Sequence, residues 1–156
     1  MRKIDFSLQL DGLSVIVPAY NEVQAIENEL QSILQAGGDF QGSLEVIVVD
    51  DGSIDGTGEV ASQVDKVQVI SHATNLGYGA ALKSGIRRAK YDLVCIIDAD
   101  GTYPAEAIFS MAEQLKENGV DMVVGARTGE SVNIDSARKP AKWMLNVLAN
   151  YLSGMK

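Results

Sequence analysis

Runs of apolar residues alternate with stretches of helical period along the chain. Leu13 to Ala19 is apolar apart from Ser14 and predicts a first strand. After it, Val23, Ile26, Leu30, Ile33 and Leu34 recur on one helical face, with Asn21 expected as the N-cap and Gly37-Gly38 as the stop. Leu44 to Val49 predicts a second strand, and Val46, Ile47, Val48 and Val49 make it apolar on both faces, as a strand covered by helices on either side must be. Asp50-Asp51-Gly52-Ser53 breaks that strand; a short helix is expected from Gly56 to Val64 and a third strand from Val67 to Ile70. The loop Ala73 to Gly77 precedes a helix in which Tyr78, Leu82, Gly85, Ile86 and Ala89 share a face. Leu93 to Ile97 predicts a fourth strand. Pro104 then opens a helix carrying Ile108, Met111, Ala112 and Leu115, and Gly119 stops it before a fifth strand, Val120 to Val124.

This β-α-β-α-β-α-β-α-β order predicts the α/β class, with a mainly parallel sheet and helices on both faces. Such sheets collect ligands at the carboxyl ends of their strands, so the loops after the first, second and fourth strands are where chemistry is expected. Residues 1–12 read as an N-terminal extension, 13–128 as the binding domain, and 129–156 as a loop and amphipathic helix.

Hydrophobic and charged fractions of 46% and 22% fit a folded domain, and the formal net charge of -8 disfavours a nucleic-acid partner, which needs a neutralising basic face. One cysteine cannot form an internal disulfide; Cys95, inside the apolar run of the fourth strand, is expected to be a small buried side chain. No segment has the roughly 20 apolar residues of a membrane span, and the first residues lack a signal peptide's apolar stretch. A soluble, cytosolic chain is the expectation.

Three polar clusters carry the candidate chemistry. Asp98-Ala99-Asp100 stands where the fourth strand runs out; in an extended segment, residues two apart point the same way, so both carboxylates can converge on one hard cation. Oxygen donors suit Mg2+ or Mn2+, with a substrate diphosphate filling the remaining positions. A polar loop end with incidental acids has the same spelling. Asp50-Asp51-Gly52-Ser53 ends the second strand, where a carboxylate can accept from a nucleobase N–H or ribose hydroxyls, although Asp-Gly-Ser also makes an ordinary turn. Pro18-Ala19-Tyr20-Asn21-Glu22 ends the first strand: Pro18 is expected to stop ladder pairing, Tyr20 offers a ring face to a base, and Glu22 in a first helical turn suits either a ligand or the helix dipole. Gly77-Tyr78-Gly79 follows the third strand and lacks the third glycine of a dinucleotide fingerprint. His72, the only histidine, reads as a strand-end residue with its ring hydrogen-bonded locally.

Three such clusters on one sheet edge are more than coincidence, and the order of motifs V-P-A-Y-N-E, V-D-D-G-S-x-D-G, N-x-G-x-G-A-A-L and I-D-A-D-G-T-Y-P resembles family 2 glycosyltransferases. The nearest branch is the polyprenyl-phosphate or dolichyl-phosphate sugar synthases. The resemblance runs from about Leu13 to the end and implies the Rossmann-like GT-A fold, truncated to its nucleotide-sugar-binding half. By position it implies that Pro18, Tyr20, Glu22 and Asp51 hold base and ribose, and that Asp98 and Asp100 bind Mn2+ or Mg2+. Lys83 falls in a segment bordering the nucleotide pocket, though a helical lysine is commonly a solvated surface charge. Arg127 matches an arginine facing the diphosphate or acceptor phosphate, so Asp100 and Arg127 are the implied catalytic pair. In some lipid-phosphate relatives a glutamine two residues past the second aspartate also meets the metal; Thr102 stands there instead.

The implied activity is metal-assisted transfer of a hexose from a UDP- or GDP-sugar, with inversion, to a polyprenyl phosphate. The chain alone is expected to bind donor with little transfer, and the full-length protein to work at the cytosolic membrane face. The alternatives are a non-catalytic nucleotide-binding or interaction module, or a nucleotidyltransferase, whose glycine-rich basic loop after the first strand is missing here. Ala141, Met144, Leu145, Leu148 and Leu152, widened by Trp143, Val147 and Tyr151, form a stripe that predicts self-association through 140–152 or disorder. Arg138, Lys139 and Lys142 beside it suit anionic head groups or a solvated helix end.

Overall fold

The computed structural model describes residues 11–126. Four strands, β1 (Gly12–Ala19), β2 (Ser43–Asp50), β3 (Val67–Ser71) and β4 (Leu93–Ile96), form one all-parallel sheet in the order β3-β2-β1-β4. Four α-helices join or follow them: α1 (Ile26–Ala36), α2 (Thr57–Ser62), α3 (Tyr78–Arg88) and α4 (Glu106–Asn118).

Alternation along the central strands builds two cores. Leu13, Val15, Val17, Val46 and Val48 point to the face where Ile26, Leu30 and Ile33 of α1, Ala61 of α2 and Ile108 of α4 pack. Ile16, Ile47 and Val49 point to the other, against Ala81 and Leu82 of α3. Because β1 and residues 46–49 of β2 are covered on both sides, they are apolar at nearly every position. On the α3 side the approach is close: a Cβ at Gly85 would stand 2.4 Å from Ile16 Cγ2.

Three expectations are corrected. Pro18 does not stop the ladder, since β1 stays in register with β2 through Ala19↔Asp50. Ile16 O accepts from Ile97 N on the β4 side, so the ring nitrogen of Pro18, two residues on, faces the side that β4 has already left and no ladder bond is lost there. Asn21 is not the cap of α1. It adopts a positive φ of 57°, and the helix begins at Ile26 after a turn in which Glu22 O accepts from Ala25 N and Ile26 N; Glu22 therefore precedes the helix instead of occupying its first turn. The fifth strand is absent from the described residues. Val120, Met122 and Val124 have a strand's composition, but no ladder joins them to β4 and they are 39%, 75% and 74% exposed. An extended segment becomes a strand only where a partner edge and a burying face meet it. A compact unit closes at Val124. Arg127 and the stripe at 140–152 lie outside the described residues.

Among the described residues, no helix is long and apolar enough to cross a membrane. Cys95 is half-buried, and burial pushes its thiol up to about 11, so it stays protonated near neutrality.

Candidate functional site

The carboxyl ends of β1, β2 and β4 bring the three polar clusters to one edge of the sheet. The first two are laced together. Asn21 N donates to Ser53 Oγ (2.9 Å), and Ile54 N donates back to Asn21 Oδ1 (3.0 Å). Glu22 N donates to Thr57 Oγ1 (2.8 Å), Val23 N to Asp55 Oδ2 (3.1 Å), and Thr57 gives both N–H and hydroxyl to Asp55 Oδ1 (3.0 and 2.6 Å). These bonds hold Asp55 below the usual carboxylate range, the Thr57 hydroxyl contributing most. They fix where Tyr20, 46% exposed on the rim, and Glu22 stand. Ser53, Asp55 and Thr57 were not singled out from the sequence, although V-D-D-G-S-x-D-G contains two of them; their partners lie some 30 residues away in the chain.

Asp51 is buried and already busy. His72 Nδ1 lies 2.6 Å from its Oδ1, Leu76 N donates to Oδ1 (3.0 Å) and Gly77 N to Oδ2 (2.8 Å). Burial raises its carboxyl, but the bonds from His72, Leu76 and Gly77 together outweigh that and keep it below the ordinary aspartate value. A carboxylate has about four acceptor positions, so one remains, on Oδ2. The expectation that His72 bonds locally is corrected: its ring spans Asp51 and Ser84 Oγ (2.9 Å), 21 and 12 residues away.

Gly52 shapes the same corner. Its φ of +73° disfavours a side chain, and a Cβ would stand 2.5 Å from Thr74 C and 2.7 Å from Asn75 N, both backbone. Gly52→Ala is therefore expected to displace the 73–77 loop and cost about 2 kcal/mol or more, from left-handed strain plus a clash that cannot rotate away; urea melts of the two proteins check this.

Asp98 is half-buried and Asp100 exposed, just past β4. The geometry differs from the extended pair expected: β4 ends at Ile96, and Ala99–Asp100 lie in a turn closed by Gly101 at φ +69°. Both acids still follow the carboxyl end of β4. The Tyr78 hydroxyl donates to Asp98 Oδ1 (3.2 Å); burial, then the Asp98 charge, raise that phenol above its ordinary value, so it remains a donor. Thr102 does not simply vacate a ligand position: its N–H and hydroxyl both donate to Asp100 Oδ1 (2.9 and 2.6 Å) and orient that carboxylate. No group of three or more His, Cys, Asp or Glu poised to hold a metal occurs among the described residues. Two oriented carboxylates at an open loop suit a hard ion that takes its other oxygens from a ligand and water. Lys83 sits on the exposed side of α3, in keeping with a solvated charge.

A residue absent from the sequence reading lies beneath this loop. Glu29 of α1 is 4% exposed, its Oε2 is 3.7 Å from where a Cβ of Gly101 would stand, and its Oε1 has no partner among the described residues. Burial first, and then the Asp100 charge, raise its pKa. An acid whose folded pKa is raised costs nothing below its unfolded value and destabilises increasingly as pH climbs through the folded one. Glu29→Gln is accordingly expected to raise the melting temperature by a few degrees near pH 7, about 1 kcal/mol, and to leave it unchanged near pH 4, as thermal melts across pH would show.

A shallow groove of about 800 Å³, lined by Leu34, Phe40, Leu44 and Lys66 among others, opens at the amino ends of the strands and contains none of these acids. The three polar clusters lie at the other edge of the sheet.

Residues 14–153 match the family described as Glycosyl transferase family 2. The chain is 36% identical over 119 residues to a dolichol-phosphate mannosyltransferase of Pyrococcus furiosus, covering 74% of this chain and 33% of that one. It is 30% identical over 150 residues to an undecaprenyl-phosphate mannosyltransferase of Micrococcus luteus, covering 90% and 59%. Among solved structures it resembles the mannosyltransferase PcManGT from Pyrobaculum calidifontis in complex with GDP-Man and Mn2+, at a TM-score of 0.60 and 30% identity over 71% of this chain and 34% of that one. The chain spans three-fifths or less of the length of these relatives. With the parallel sheet and helices of the GT-A architecture and a match that takes in every loop of the site, the chain belongs to glycosyltransferase family 2.

Proposed function

We propose that the chain forms the donor-binding part of a metal-assisted glycosyltransferase that moves a hexose from a UDP- or GDP-sugar to a polyprenyl phosphate, with inversion. The observation that carries this is the gathering of Tyr20, Glu22 and Asp51 with Asp98 and Asp100 at the carboxyl ends of β1, β2 and β4. Tyr20 offers its exposed ring to the base, the remaining Oδ2 position of Asp51 accepts from a base N–H, and Glu22 faces the ribose hydroxyls. Pro18, buried in β1, shapes the floor beneath them. Asp98 and Asp100 would hold Mn2+ or Mg2+, whose charge would stabilise the negative charge developing on the departing nucleoside diphosphate. The GDP-Man and Mn2+ bound to PcManGT support that pairing of donor and ion.

A lipid phosphate is already ionised near neutral pH, so an acceptor of that class needs positioning more than a general base. The polyprenyl-linked relatives from Pyrococcus and Micrococcus favour it, and with it a working place at the membrane surface. Since the chain spans only part of those relatives, we assign it donor binding with little transfer of its own, Arg127 being the group to meet the phosphates. Calorimetry with UDP and GDP, each with and without Mn2+, tests the reading: one nucleotide is expected to bind and to need the ion. No heat from either on folded protein removes it.

A further inference from the structure

We infer that His72 is a positioning residue for nucleotide recognition, anchoring the Asp51 carboxylate to the sheet so that its one remaining acceptor position is held toward the base. This rests on the donor-binding reading above. Asp51 has three donors, and two of them, Leu76 N and Gly77 N, are backbone groups of the loop that leads into α3, with Gly77 tied to the helix only through its carbonyl. His72 is different. It directly follows β3, its own N–H donates to Asp50 O (2.9 Å), and its ring reaches α3 through Ser84. It is the one donor tied to regular structure on both sides. Since a carboxylate only accepts, Nδ1 presents its proton to Asp51, and Nε2 faces the Ser84 hydroxyl, which can donate or accept. The side chains of His72 and Asp51 are 11% and 5% exposed, so water competes little for this bond.

The Asp51–His72–Ser84 order resembles a hydrolytic relay, but Ser84 lies within α3, where neighbouring N–H groups are spent on the helix and none is left to stabilise an oxyanion. The chain of bonds is a brace. What it braces is the corner where Gly52 lets the Thr74–Asn75 backbone come close, next to the proposed base contact.

Two substitutions separate the ends of the ring. In His72→Asn the side-chain amide nitrogen occupies the place of Nδ1 and can still donate to Asp51; in His72→Gln it occupies the place of Nε2 and keeps only the Ser84 end. The test is calorimetric titration of the full chain with GDP and UDP plus Mn2+, with a thermal melt of each variant. His72→Ala and His72→Gln are expected to weaken the nucleotide that binds by about tenfold or more, and His72→Asn to recover affinity to within about threefold of the wild type. Should His72→Ala fail to fold, the Asn and Gln variants decide alone. Equal affinity in wild type, Asn and Gln variants overturns the inference and leaves the donor-binding reading standing. So does a loss that follows melting temperature without distinguishing Asn from Gln. A folded wild type that binds neither nucleotide overturns both.

Discussion

Asp98→Asn is expected to remove Mn2+-dependent nucleotide binding, weakening it by about a hundredfold or more, while the melting temperature changes by less than about 3 °C. The asymmetry follows from where the residue stands. Asp98 is half-buried past the end of β4, and the described contact it makes to the rest of the protein is the Tyr78 hydroxyl, which an amide oxygen can accept equally well. The fold therefore loses little. A divalent ion bound by two carboxylates loses half of its protein charge, and an amide is a poor replacement for an anionic oxygen. Asp100→Asn should weaken the ion similarly and has a second signature: it removes the charge that helps raise Glu29, so the pH-dependent destabilisation traced to Glu29 should be smaller and level off at a lower pH. Calorimetry with and without Mn2+ is the measurement. Affinity without metal should be nearly the same in wild type and both variants, and a variant that binds Mn2+ and nucleotide as the wild type does would remove the metal assignment.

The largest effect on stability is expected from Asp51→Ala, about 3 kcal/mol or more, a fall of roughly 10 °C for a chain of this size, together with loss of nucleotide binding. Three donors converge on this buried carboxylate, and truncation leaves the His72 ring, Leu76 N and Gly77 N without their acceptor. The pH dependence has a definite sign. The folded pKa lies below the ordinary value, so the contribution is complete above about pH 4 and is lost as pH falls through the lower, folded value. Acid melting of the wild type should thus steepen below about pH 4, and that component should vanish in Asp51→Ala. Unaltered acid melting in the variant would mean that the carboxylate is not held as described.

The parts of this molecule legible in its sequence are those decided by neighbours close in the chain or by burial on two sides. Val46 to Val49 could hardly be anything except a covered strand, and Gly119 at φ +59° ends α4 where a glycine was expected to. The acids of the site were legible too, because residues at the carboxyl ends of parallel strands converge whatever their loops do. What escaped depends on partners distant in sequence. Asn21 has an N-cap's chemistry, but Ser53 and Ile54 capture it, and α1 starts five residues later. The partners of His72 were not those expected nearby in the chain, because Asp51 and Ser84 reach it only after β2, β3 and α3 are assembled. Val120 to Val124 carries a strand's pattern but pairs with no strand among the described residues and stays exposed, a condition that local composition cannot express. Glu29 was hidden by its helical setting, where a glutamate ordinarily faces water; here the Gly101 turn closes over it.

The central claim is that Asp98 and Asp100 hold a divalent ion against the diphosphate of the donor. Anomalous scattering from crystals grown with Mn2+ and GDP or UDP tests it directly. One manganese peak is expected within about 2.3 Å of a carboxylate oxygen from each aspartate, and in contact with the nucleotide's phosphates. A peak bound elsewhere, or a nucleotide seated with both aspartates turned away from it, would rule out this pair as the metal site.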